Sequence, residues 1–260
     1  SNLNSPTTYL AFTVEGNLYQ YDYWYVDDVT ITATGVQTFN ITTSSSPVQG
    51  GSTTGNGTYN AGTQATVTAT PATGYYFLNW TENGNVVSTD PAYMFAVNAN
   101  RSLTANFALL QFNITTSESP ANGGSTTGEG AYLYGATVSL NANPATGFNF
   151  TNWTENGNIV STNAGYSFTA VNDRTLVANF QPMQYTISVA ANPPSAGTVS
   201  GGGNYAWGSQ ATVIAAANSG WNFVNWTENG NVVSTSLTYI FTVSGNRTLT
   251  ANFTQEIVEY

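Results

Sequence analysis

The chain has 260 residues with no Cys, no His and no Lys, and its thirteen acidic residues against three Arg give a formal net charge of −10. These absences exclude a disulfide framework, a Cys/His metal site, Ser-His-Asp and Cys-His nucleophiles and a Schiff-base lysine. A surface this acidic repels phosphate backbones and anionic lipids, so no nucleic acid is expected as a partner, and without an apolar run near ~18–20 residues no membrane insertion is expected either.

Residues 1–37 come first and differ from the rest. The stretch "TYLAFTVEGNLYQYDYWYVDDVTITATG" holds two strand-like runs around Glu15-Gly16-Asn17 and is rich in Tyr. A two-stranded hairpin is not stable alone. It is expected to pair with the repeat that follows, to be the remnant of a sandwich domain, or to act as a donor strand for a neighbouring subunit. The last option would propagate head-to-tail into a filament. Within it, "WYVDDVTIT" resembles the closing strand of jelly-roll sandwiches, including carbohydrate-binding and receptor-ectodomain types. Asp27 and Asp28 are the one calcium candidate, because hard cations want clustered oxygens. Adjacent carboxylates on a strand alternate faces, however, and no Asp-x-Asp-x-Asp-Gly loop is present. No basic-then-apolar signal opens the chain, so it is expected to have lost one or to be cut from a larger precursor.

From Thr38 onward the sequence repeats. Trp80, Trp153 and Trp226 stand 73 residues apart, as do Arg101, Arg174 and Arg247 and the aromatics Phe39, Phe112 and Tyr185. An unbroken period means tandem modules, at 38–110, 111–183 and 184–256, with a tail at 257–260. Hydrophobic residues at 41% and aromatics at 13% support packed cores rather than disorder. Each module can hold only a small core, so contacts with neighbours should matter. Hydrophobicity alternates with period two, which predicts about six strands in the first copy, at 38–43, 63–69, 75–81, 86–89, 92–97 and 101–107. No helical stripe appears, although a loop has room for one turn of helix.

The heptad "NWTENGN" opens at residues 79, 152 and 225. Asn83-Gly84, Asn156-Gly157 and Asn229-Gly230 tolerate the positive φ angles of a type I′ hairpin, which places each Trp just before a tight turn. Trp80, Trp153 and Trp226 are then either core residues or stacking platforms for a sugar. Phe77 and Trp80 are an odd number of residues apart, so either a bulge turns both into one core, the preferred reading, or one of the pair faces a neighbour or solvent. Glu82, Glu155 and Glu228 precede the turns. The three Arg have three structural options: pairing with that Glu, stacking on the Trp, or bridging to the next module. A catalytic carboxylate pair would need two acidic groups at close range, and each module repeats only the Glu. No catalytic residue and no cofactor is therefore expected. Ten Asn-x-Ser/Thr sequons occur where about eight would arise by chance, and Asn79, Asn152 and Asn225 are the candidate glycosylation sites because they lie beside the Trp in every copy.

The pattern "FNITTSSSPVQGGSTTGNGTYNAGTQATVTATPATGYYFLNWTENGNVVS" followed by "YMFAV" and "NRSLTANF" resembles the divergent internalin B-type repeat of bacterial and archaeal surface proteins. The match rests on the "GG", on the spaced Gly57, Tyr59 and Gly62 before "ATVTA", on "GYYF" with "NW", and on the closing "LTANF", "LVANF" and "LTANF", and it covers about 219 of 260 residues. The resemblance implies a mainly β chain: a tandem array of three small β-rich, β-grasp-like modules from a secreted or wall-attached protein, used as stalk, spacer or adhesive and without catalytic motif. The joins "NFALLQFNI" and "NFQPMQYTI" leave about four residues between modules. That predicts a stiff rod of roughly 90 Å. Without Lys, stiffening by Lys–Asn isopeptide bonds is closed. The expected function is a non-enzymatic extracellular stalk or surface-filament subunit, with a carbohydrate-binding adhesin as the rival. The expected partners are further copies, adjacent domains of a larger surface protein, or a glycan.

Overall fold

The computed structural model describes residues 35–257. Most of the N-terminal segment, with Asp27 and Asp28, lies outside the described residues. The first copy contains β1 (Thr38–Ser46), β2 (Gly51–Thr54), β3 (Gly57–Asn60), β4 (Gln64–Pro71), β5 (Tyr75–Glu82), β6 (Asn85–Ser88), β7 (Ala92–Ala96) and β8 (Arg101–Leu109). The single turn Val48–Gly50 is the only helical element among the described residues. A five-stranded sheet in the order β3-β1-β8-β5-β6 stands with a three-stranded sheet in the order β2-β4-β7. The second and third copies repeat both sheets.

The period-two pattern explains the two layers. Along β1, Phe39 and Ile41 turn inward while Asn40, Thr42 and Ser44 stay exposed. Ile41, Trp80, Leu103, Ala105 and Phe107 from the larger sheet meet Ala65, Val67, Ala69 and Phe95 from the smaller one in a single cluster. The large indole fits because its companions include three alanines, the alternation of large and small that fills a core without voids. Each of the other copies builds its own cluster, around Trp153 and around Trp226. The polar side of the larger sheet is tied together as well. Ser44 bonds Thr104 at 3.1 Å, Thr58 donates to Asn40 at 2.8 Å, and Asn106 donates to Asn79 and Thr81 at 2.8 and 3.0 Å. Part of the Ser, Thr and Asn content thus serves a cross-strand hydrogen-bond network.

Three near-identical β modules were expected and are present. The strand number differs, at eight per copy rather than six. The additional strands are β2 and β3, "GSTT" and "GTYN", which carry little alternation. The glycine that opens β2 answers to close packing instead: a Cβ on Gly51 would stand 2.4 Å from the Thr70 carbonyl oxygen and 2.6 Å from the Phe107 ring. The grasp-like feature is the parallel pairing of β1 with β8, the first and last long strands of the copy. All four edge strands, β2, β3, β6 and β7, are only four or five residues long. Short edges leave little template for unplanned pairing.

The expected bulge is also present. In the second copy the register against the strand Arg174–Pro182 shifts between Phe150 and Asn152, and in the third copy the same shift falls between Phe223 and Asn225. Phe150 and Trp153 consequently both reach the core, with ring centroids 6.0 Å apart. The chain divides after Ala108 into two compact units, one holding the first copy and the other the second and third.

Candidate functional site

Trp80, Trp153 and Trp226 each have 0% of their surface exposed. Every indole N–H donates to the carbonyl just before β7 or its equivalent: Pro91 at 3.2 Å, Ala164 at 3.0 Å and Leu237 at 3.3 Å. A ring enclosed on both faces, with its one donor already used, offers nothing for a sugar to stack on. Just beyond each Trp, Asn83, Asn156 and Asn229 have φ near +50, and Gly84, Gly157 and Gly230 have φ near +80. These are the two left-handed positions a type I′ hairpin requires.

The three Arg serve their own modules. Arg101, Arg174 and Arg247 hold Glu82, Glu155 and Glu228 at 2.7, 2.6 and 2.7 Å, and Arg Nε also contacts both carboxylate oxygens. The guanidinium stacks over Phe95, Phe168 or Phe241 at 4.1–4.3 Å, not over the Trp. It also donates to the hydroxyls of Tyr93, Tyr166 and Tyr239. The Phe and Tyr partners were not singled out in the sequence, because their place opposite the Arg depends on how β7 and β8 cross different sheets. The hydrogen bonds that each guanidinium donates to its Glu raise it further above its already high range, against a smaller opposing effect of burial. Glu155 is moved below its ordinary value, first by its hydrogen bond from Arg174. A carboxylate held ionised with both oxygens occupied is a poor general acid or base. Among the described residues no group of three or more acidic side chains gathers to hold a metal ion.

The depressed Glu155 carries a pH prediction. A group with a lowered folded pKa stabilises fully above its unfolded value, here 4.5, and that stability is lost as the pH falls through the folded value. Protonating the other carboxylates relieves repulsion in a chain of net charge −10 and acts in the opposite sense. The informative quantity is therefore a difference. Glu155→Gln is expected to lower the unfolding temperature of the second repeat at pH 7 by a few degrees, and the gap to the unmodified chain is expected to close on acidification below pH 4.5. Thermal unfolding followed by circular dichroism at several pH values checks this, and a gap that does not depend on pH counts against it.

Asn79, Asn152 and Asn225 are half-buried on strands paired on both sides, and their Oδ1 atoms accept from Asn106, Asn179 and Asn252. They are not in the surface loops where glycosylated sequons usually lie.

A further contact joins the second and third copies. Only Met183 separates the strand Arg174–Pro182 from the strand Gln184–Asn192. The Met183 N–H donates to Gly147 at 2.7 Å, and its carbonyl accepts from Trp207 N–H at 2.8 Å. Trp207 packs against the core of the second copy and meets Phe148 edge-on at 5.9 Å. Copy-to-copy comparison passed over Trp207, because the same position holds Tyr134 and Ala61 in the other copies. That variation was itself the available signal: a position free to change within the module is one that looks outward.

Buried aromatics, internally paired charges and short blunt edges define a tandem array of small two-sheet β modules. The chain belongs to the divergent InlB B-repeat family: the model of the Divergent InlB B-repeat domain matches residues 41–111, 114–184 and 187–257. Repeats of this type are typical of surface proteins. No curated protein matches the chain. Among solved structures, the Bacillus anthracis TIE protein is similar at 8% identity and a TM-score of 0.43, over 85% of this chain and 51% of that one. The chain thus spans about half the length of that protein. Among the described residues no helix is long and apolar enough to cross a membrane.

Proposed function

We propose that the chain is a non-enzymatic, extracellular structural protein, a stiff stalk assembled from tandem repeats. The observation that carries this reading is the junction of the second and third copies: a one-residue connection hydrogen-bonded on both sides and covered by Trp207. A linker this short, with its polar groups satisfied and an aromatic packed across it, restricts hinge motion. Use of every Arg and its paired Glu within a module supports the absence of catalysis. The rival, a glycan-binding adhesin, would have to use exposed rings such as Tyr76, which is 44% exposed, because the three repeated Trp are enclosed.

The Cys-free chain makes the test direct. Spin labels on Asn163→Cys and Ser236→Cys, both exposed positions in the second and third repeats, are expected to give one narrow distance distribution by pulsed electron resonance. A broad distribution would overturn the stiff-stalk reading. Sedimentation of the same samples at rising concentration separates a monomeric stalk from a filament subunit that associates head-to-tail or by strand addition.

A further inference from the structure

The join of the second and third repeats shows how the end of a module is covered. Gly147 has φ +82, and a Cβ there would stand 2.0 Å from the Trp207 ring, so the indole lies directly on the glycine backbone. Under it, Gly147 is buried and Phe148 is 7% exposed. The third repeat builds the same end. Gly220 has φ +78, and Glu256 N–H donates to its carbonyl at 2.8 Å, as Met183 does to Gly147. Among the described residues, however, nothing stands within 4 Å of the place where a Gly220 Cβ would lie. Gly220 is exposed where Gly147 is buried, and Trp221 is half-buried where Phe148 is buried.

We infer that the Gly220–Trp221 face is a docking slot for an aromatic side chain, Tyr or Trp, presented on the corresponding turn of another repeat module. The glycine offers a bare backbone platform, Trp221 offers a ring to meet edge-on, and the carbonyl of Glu256 corresponds to the Met183 acceptor that takes the Trp207 N–H. The first repeat of a second copy is not the occupant, because its turn carries Ala61, whose methyl group has no ring face. The chemistry therefore discriminates among modules by one residue, and the slot serves a stalk or an adhesin equally.

Hydrogen exchange followed by mass spectrometry tests the slot in two steps. In the unmodified chain, amides of residues 145–150, under Trp207, should exchange about tenfold more slowly than those of residues 218–223, and Trp207→Ala should remove most of that difference. In a lengthened chain with residues 184–256 repeated after Glu256, residues 218–223 should slow by a similar factor. They should return to the original rate when the added copy's turn Trp is changed to Ala. Equal exchange at the two positions in the unmodified chain overturns the inference. So does an unchanged rate at 218–223 beside an added copy whose own core is protected, or slowing that survives loss of the added Trp. A broad spin-label distribution combined with the expected exchange would sink only the stiff-stalk reading.

Discussion

Trp226→Ala is expected to unfold the third repeat and leave the first intact. The side chain is completely enclosed, and truncating a buried Trp to Ala costs about 3–5 kcal/mol through lost transfer energy and the cavity left behind. The Leu237 carbonyl also loses the indole N–H it accepts at 3.3 Å. At roughly 0.05–0.15 kcal/mol per residue, a 73-residue module has about 4–11 kcal/mol in total, so the change removes much or all of it. Each copy has its own core cluster, which is why the loss should stay local. The second repeat, deprived of an ordered Trp207 against its core, should be weakened but not abolished. Hydrogen exchange resolved by peptide is the measurement: protection should vanish across the strands Gln210–Ala217 and Arg247–Gln255 and persist on β1 and β8. Cooperative loss in all three repeats, or no loss in any, would contradict a modular core centred on this ring.

What was legible in the sequence was local. Asn83-Gly84 announces its turn because the two residues themselves favour the left-handed φ values the hairpin needs. The odd spacing of Phe77 and Trp80 announces a bulge because strand side chains alternate strictly. The strands β2 and β3 were not legible, because neither "GSTT" nor "GTYN" alternates in hydrophobicity, and the glycine of β2 answers to how closely the Thr70 backbone and the Phe107 ring approach, which depends on partners far along the chain. The Arg site was half legible. Glu82 could be named as the partner, whereas the Phe95 ring under the guanidinium is set by packing between sheets. The contact of Trp207 with Gly147 was missed for a different reason: a fixed period directs attention to positions that repeat, and junction residues are those that differ between copies.

Gly201→Ala should destabilise the third repeat by about 2–5 kcal/mol, combining roughly 1–2 for a left-handed Ala with about 1–3 for overpacking. The residue has φ +87, and its Cβ would lie 2.0 Å from the Thr212 carbonyl oxygen and 2.9 Å from Val213 Cα. Neither obstacle is the movable end of a side chain. Thr212 and Val213 are paired with Ile240 and Tyr239, and Val213 is fully buried in the core. Relief would therefore require displacing a strand. Gly201 also fixes its neighbour Tyr205, whose hydroxyl donates to the Gly201 carbonyl at 2.8 Å. Gly230→Ala provides the internal comparison, since it has φ +80 but nothing within 4 Å of the added carbon. It should cost only the dihedral part, about 1–2 kcal/mol. Chemical denaturation of both variants measures the difference, and equal losses would mean that dihedral preference alone placed the glycine at 201. The same approach recurs at Gly55 and Gly128, where the added carbon would stand 2.2 and 2.1 Å from the carbonyls of Thr66 and Ser139. Three glycines facing three equivalent carbonyls make close backbone packing of the β2–β3 corner a requirement of the repeat itself, so the substitution should be similarly damaging in every copy.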